Sequence, residues 1–117
     1  MVIACSDSSG TADSMVYLNN GDRDFDDQPD IKYTAHEARE VETGDINNDG
    51  YDDFILNEID GNKIYYGGPD GPSTVEDLEL PYYSTQSFAV EDLDGDGYTD
   101  IILADRRSGT SSIYMGT

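Results

Sequence analysis

Tryptophan is absent from this 117-residue chain, cysteine occurs once, at Cys5, and lysine and arginine together number 6 against 26 aspartates and glutamates. Each scarcity excludes something. A single cysteine cannot form an internal disulfide, so the paired-cysteine mark of an oxidising compartment is missing. A formal net charge of −20 argues against a nucleic-acid partner, because phosphate binding needs clustered cations. No apolar run approaches the roughly 20 residues needed to cross a bilayer as a helix, so the sequence predicts no membrane span. One histidine, His36, stands without a neighbouring nucleophile or carboxylate pair that would suggest acid–base or nucleophilic catalysis. No Asn-x-Ser/Thr sequon occurs, although the Ser/Thr clusters at 6–14 and 108–112 offer places for O-linked sugar.

What is abundant is acid. A compact state carrying −20 repels itself, and bound cations or a salty medium must offset part of that charge. Two bound Ca²⁺ ions would bring −20 to −16. The remainder reads as a solvated acidic surface of the kind found in secreted or salt-adapted proteins. The length suits one ordinary domain with a modest core.

The chain repeats. Thr43 to Leu56 superimposes on Val90 to Leu103 when the sequence is moved against itself by 47 positions, and a shared period of that size is an architectural signal. The agreement extends from Lys63–Gly67 to Ser112–Gly116, and Met15–Asn19 answers both. Even Val2–Cys5 falls on Ile101–Ala104. The sequence therefore divides into a half repeat at 1–20, a full repeat at 21–67 and a second at 68–117.

Within each repeat, β-branched, aromatic and aliphatic residues come in short runs bounded by Gly, Asp, Asn and Pro, and no stretch carries a helical period. Strands are predicted at 2–5, 14–19, 31–35, 38–43, 53–57, 63–67, 78–83, 86–91, 100–104 and 111–116. Gly10, Gly61 and Gly109 mark hairpin turns, and Gly67 to Pro72 is a turn cluster. Four short strands per 40–50 residues is the pattern of a propeller blade, so the fold class is all-β, as tandem four-stranded antiparallel repeats.

Two loops carry the chemistry. Ca²⁺ takes six to eight oxygen ligands, and a loop supplies them when every second side chain is an acid or amide. Asp45, Asn47, Asp49 and Asp53 occupy positions 1, 3, 5 and 9 of the first loop, with Tyr51 at position 7 offering its carbonyl. Asp92, Asp94, Asp96 and Asp100, with Tyr98, repeat the arrangement. Gly50 and Gly97 at position 6 allow the sharp turn. Packing such carboxylates without a cation would be repulsive, so two Ca²⁺ sites are predicted. An EF-hand is excluded because its position-12 glutamate is replaced by Leu56 and Leu103, inside apolar runs.

The segments Gly44 to Leu56 and Asp92 to Leu103 resemble FG-GAP or VCBS repeats, the calcium-binding blades of integrin α-subunit propellers and of many secreted bacterial proteins. Tyr66-Gly67-Gly68-Pro69 departs from the Phe-Gly and Gly-Ala-Pro of the family's name. The resemblance implies a non-enzymatic role in extracellular or cell-surface adhesion, recognition or structural display, with calcium rigidifying each blade. A calcium-dependent lectin is the alternative, with a sugar stacked on Tyr65, Tyr66, Tyr82 or Tyr83; the ligand would be a glycan or a protein.

About two and a half blades fall short of the four to eight that close a propeller. Self-association into a ring or a filament, or membership of a longer propeller, would complete the structure, and assembly is the expectation. Two lesser readings remain. The acids of Asp22 to Asp27 read as a solvated connection with Phe25 packed inward, the alternative being a third ion. Cys5 reads as a small hydrophobe in a short strand, the alternative being a lipidated cysteine, although the charged and long apolar regions of a lipoprotein signal do not precede it.

Overall fold

The computed structural model describes residues 2–4, 12–19, 21, 25–35, 37–80, 85–107 and 109–117. Expectations for Cys5, Gly10, Asp22, Arg23, Asp24, His36, Tyr82 and Tyr83 lie outside these residues.

Among the described residues ten strands form, and each predicted strand overlaps one of them. They are β1 (Val2–Ile3), β2 (Asp13–Val16), β3 (Ile31–Thr34), β4 (Glu40–Gly44), β5 (Asp53–Glu58), β6 (Gly61–Tyr65), β7 (Leu78–Leu80), β8 (Thr85–Glu91), β9 (Asp100–Asp105) and β10 (Ser112–Tyr114). They build three antiparallel sheets, ordered β1-β2-β3, β4-β5-β6-β7 and β10-β9-β8. The middle sheet is a complete four-stranded blade, so the all-β, blade-like expectation holds. The period read from the sequence and the sheets are offset, since β3 joins β2 and β7 joins β6.

The sheets pack face to face through β5, whose six residues are all buried. Side chains alternate across a strand, so a strand covered on both faces needs apolar residues at successive positions. Phe54 and Leu56 turn toward the first sheet, where they meet Val16, Tyr33 and the β6 residue Tyr65. Ile55 turns the other way, into a cluster with Ile64, Leu80, Phe88, Ile101 and Leu103 that joins the second sheet to the third. The apolar run that resembled one core strand therefore serves two cores.

Aromatic packing fixes the first of these interfaces. Phe54 and Tyr65 are cross-strand partners and stack with ring centroids 4.8 Å apart, while Tyr33 meets Tyr65 edge-on at 4.6 Å. The Tyr33 hydroxyl donates to the Ser73 carbonyl at 2.6 Å. Burial in this cluster pushes the Tyr65 phenol well above its usual range, with Glu58 and Glu76 adding to the shift. Tyr65 is therefore packing and not a sugar platform, and the partly buried Tyr66 leans on the second cluster. Polar contacts fix the other interface: Asn57 Nδ2 donates to the Thr85 carbonyl at 2.6 Å, and Asn62 Nδ2 to the Thr85 hydroxyl at 2.9 Å.

One expectation fails. Phe25 is 40% exposed and is not packed inward. Its neighbours Asp26 and Asp27 are exposed too, and hydrated carboxylates hold that connection away from the core.

Candidate metal centre

The loops that join β4 to β5 and β8 to β9 lie at the same end of adjacent sheets. Each is organised by its first and last aspartates. Asp45 accepts two backbone N–H groups, from Asp49 into Oδ1 at 3.0 Å and from Gly50 into Oδ2 at 2.9 Å. Asp92 does the same for Gly95 at 2.8 Å and Gly97 at 3.0 Å. The turn requires left-handed backbone at positions 4 and 6: Gly50 and Gly97 both have φ 91°, and Asn48 and Gly95 have φ 59° and 77°. Asparagine and glycine are the residues that adopt this conformation at least cost.

The ninth-position aspartates are buried at the first residue of β5 and of β9, each 1% exposed. Asp53 Oδ2 accepts from Ile46 N at 2.7 Å and Asn47 N at 3.2 Å, and Oδ1 accepts from Gly67 N at 2.7 Å. Asp100 accepts from Leu93 N and Gly116 N, both at 2.8 Å. Burial raises the Asp53 carboxyl above its usual value, the N–H groups of Gly67, Ile46 and Asn47 pull it back, and nearby Asp49 pushes it up again. A positive ion beside Asp53 would relieve both upward pushes.

Geometry suited to a metal is clearest in the second loop. Carboxylate oxygens of Asp92, Asp94 and Asp100 all lie within 4.8 Å of one another. With Ca–O bonds of about 2.4 Å, one ion spans that separation. A carboxylate oxygen has two lone pairs, so an oxygen that accepts one N–H keeps another for a cation. The residues present therefore fit Ca²⁺. Asp96 lies outside that trio and accepts the Tyr98 N–H at 2.9 Å. In the first loop the neutral Asn47 stands where Asp94 does, and its Nδ2 donates to Asp49 Oδ2 at 3.0 Å. Asp49 also accepts the Tyr51 N–H at 2.9 Å. Tyr51 and Tyr98 are 43% and 46% exposed, so it is their backbone carbonyls rather than their phenols that lie in the loop.

Two features escaped the sequence reading. The first is a bridge between the loops: Asn48 Nδ2 donates to the Gly97 carbonyl at 2.7 Å, and Asn48 Oδ1 accepts from Thr99 N at 3.2 Å. Its signal was the replacement of Gly95 by Asn48 at position 4 of otherwise matching loops. The second is the glycine that closes each site from outside the loop. A Cβ at Gly67 would overlap the Asp52 carbonyl oxygen, and one at Gly116 would sit 2.5 Å from that of Thr99. Their shared place in the repeat was visible, but their contact with Asp53 and Asp100 was not.

No helix is long and apolar enough to cross a membrane among the described residues. Searches of curated proteins and of solved structures returned no match. A family model described as FG-GAP-like repeat matches residues 45–103, which run from the first position of one loop into the strand that follows the other. With half the chain covered, two loops of the same design and blade-like sheets between them, the chain belongs to the FG-GAP-like repeat family.

Proposed function

We propose that this chain is a non-enzymatic, extracellular or cell-surface repeat module, structural or adhesive in role, in which each aspartate loop holds one Ca²⁺. The observation that carries this reading is the convergence of Asp92, Asp94 and Asp100 within 4.8 Å at the mouth of a rigid strand. Asp45, Asn47, Asp49 and Asp53, with the Tyr51 carbonyl, serve the first ion, and Asp92, Asp94, Asp96 and Asp100, with the Tyr98 carbonyl, serve the second. Bound calcium joins each loop to the strand behind it. An ion saturated by side chains fixes structure and leaves no activated water for hydrolysis.

The module self-associates in a ring or filament. Support comes from β10, which among the described residues pairs only with β9, and from the exposed Ile113 and Met115 on and beside that edge. Light scattering in calcium and in chelator tests the reading. Expected is an oligomer in calcium, with a melting temperature that falls in chelator; at calcium 100-fold above the dissociation constant each site contributes about 2.7 kcal/mol. A small monomer whose melting ignores both additions would overturn it.

A further inference from the structure

Three of the chain's 6 cationic side chains, Arg39, Arg106 and Arg107, line one cleft of about 520 Å³. It lies between the second and third sheets, at the end remote from the aspartate loops. Arg39 immediately precedes β4, and Arg106 and Arg107 immediately follow β9. No acidic side chain lines the cleft among the described residues; Asn57, Thr85, Gln86 and the half-exposed Ile59 complete its wall.

Where acids outnumber cations 26 to 6, each arginine would be expected to carry a carboxylate beside it. Arg39 has one, with Nη2 at 3.2 Å from Glu37 Oε2, but the side chains are 61% and 37% exposed and such pairs are weak. Among the described residues, neither Arg106 nor Arg107 has a carboxylate partner for its guanidinium. The walls beneath them are fixed. Asn57 and Thr85 are buried and hydrogen-bonded to one another across the sheets. Thr85 pairs with Asp105 and Ser87 with Ala104, so Gln86 is an extra residue outside the ladder. A bulge of this kind re-aims a side chain, and Gln86 stands on the cleft wall.

We propose that this cleft binds an oxyanion, carboxylate or sulfate, carried by an acidic sugar. A guanidinium presents paired donors that match two oxygens of either group. The exposed amide of Gln86 suits sugar hydroxyls, and Ile59 suits the apolar face of a ring. The volume is in the range of small-ligand sites. This inference stands apart from the calcium reading, because the cleft shares no residue with the loops.

Amide shifts of Gln86, Arg106 and Arg107, followed by NMR at constant ionic strength, give the test. The full chain is titrated with inorganic sulfate, glucuronate and uncharged glucose. Both anions are expected to give saturable shifts at these amides, glucose none, and glucuronate is expected to bind more tightly than sulfate. Combining Arg106→Gln with Arg107→Gln, or making Arg39→Gln alone, should weaken glucuronate by about tenfold or more. Lys32→Gln, which removes the same charge from β3, should leave affinity within about twofold. The arginines are exposed, so the variants should melt with wild type. No saturable shift with either anion, or an equal loss in Lys32→Gln, overturns the site. Glucuronate no tighter than sulfate overturns the sugar assignment.

Discussion

The Asp53 carboxylate accepts the Gly67 N–H at 2.7 Å, tying the start of β5 to the residue that follows Tyr66, 14 positions away. The same bond joins Asp100 to Gly116 at 2.8 Å. In each repeat the ninth-position aspartate thus does two jobs. It organises its own loop through the N–H groups at the second and third positions or the second alone, and it clamps the strand beyond the next hairpin. Calcium, when bound, would act on an aspartate already anchored to two parts of the blade.

Gly67→Ala should therefore destabilise the protein even in chelator. The added methyl meets the Asp52 carbonyl and pushes the donor away from Asp53. Overpacking of this kind costs roughly 1–3 kcal/mol. Chemical denaturation with and without calcium checks it; a loss that appears only with calcium would show that the clamp acts through the ion.

The two sites should differ in affinity. The proposed ligand set of the second loop holds four carboxylates, and that of the first holds three and the amide of Asn47. Ligand charge is a main determinant of affinity for Ca²⁺ in such loops. Terbium luminescence on single-loop variants should find the second site tighter, and Asn47→Asp should narrow the gap. An unchanged first-site affinity in that variant would remove Asn47 from the ligand set.

The bridge from Asn48 to Gly97 and Thr99 predicts coupling between blades. Asn48→Gly keeps the left-handed backbone and loses both side-chain bonds, at roughly 1 kcal/mol. Asn48→Ala should cost about 1 kcal/mol more, since alanine resists φ 59°. Urea denaturation separates the two variants; equal stability of Ala and Gly would mean that the backbone at this position relaxes.

Alkali should unfold the protein through its buried and half-buried tyrosines. Tyr33, Tyr65 and Tyr66 all have phenols raised above their usual value, by burial first and by nearby acids second. The unfolded chain gives up these protons near pH 10 and the folded chain holds them longer. Above pH 10 the unfolded state thus binds fewer protons, and stability falls as pH rises toward the folded values. Tyrosinate absorbance should include a cooperative rise coincident with loss of far-UV signal, as the packed rings of Tyr33 and Tyr65 are released. A single gradual rise would contradict the packing of Tyr65.

Much of this arrangement was legible in the sequence because its causes are local. Alternating acids, a turn glycine and an apolar run after the ninth position each leave a mark on neighbouring residues, and repetition at Asp92 to Leu103 doubled the signal. The strands were legible for the same reason. What stayed hidden depends on distant parts of the chain. Phe54, Ile55 and Leu56 form one apolar run whether one face is covered or two, and only the sheets on both sides reveal that it feeds two cores. Asn48 looks like an ordinary loop amide until the second loop lies beside it. Arg39 is separated from Arg106 by about one and a half repeats, so no local pattern announced that they share a cleft. Phe25 was expected inside on hydrophobicity alone, and the hydrated acids next to it decided otherwise.

Calcium titration by calorimetry is the most direct measure of the central claim, that each aspartate loop is a Ca²⁺ site. Two ions per chain are predicted, with dissociation constants of about 0.1–1 mM, as is common for extracellular modules. Asp49→Ala and Asp96→Ala should each leave a single site. A stoichiometry of zero, or an isotherm unchanged by both substitutions, would contradict the account.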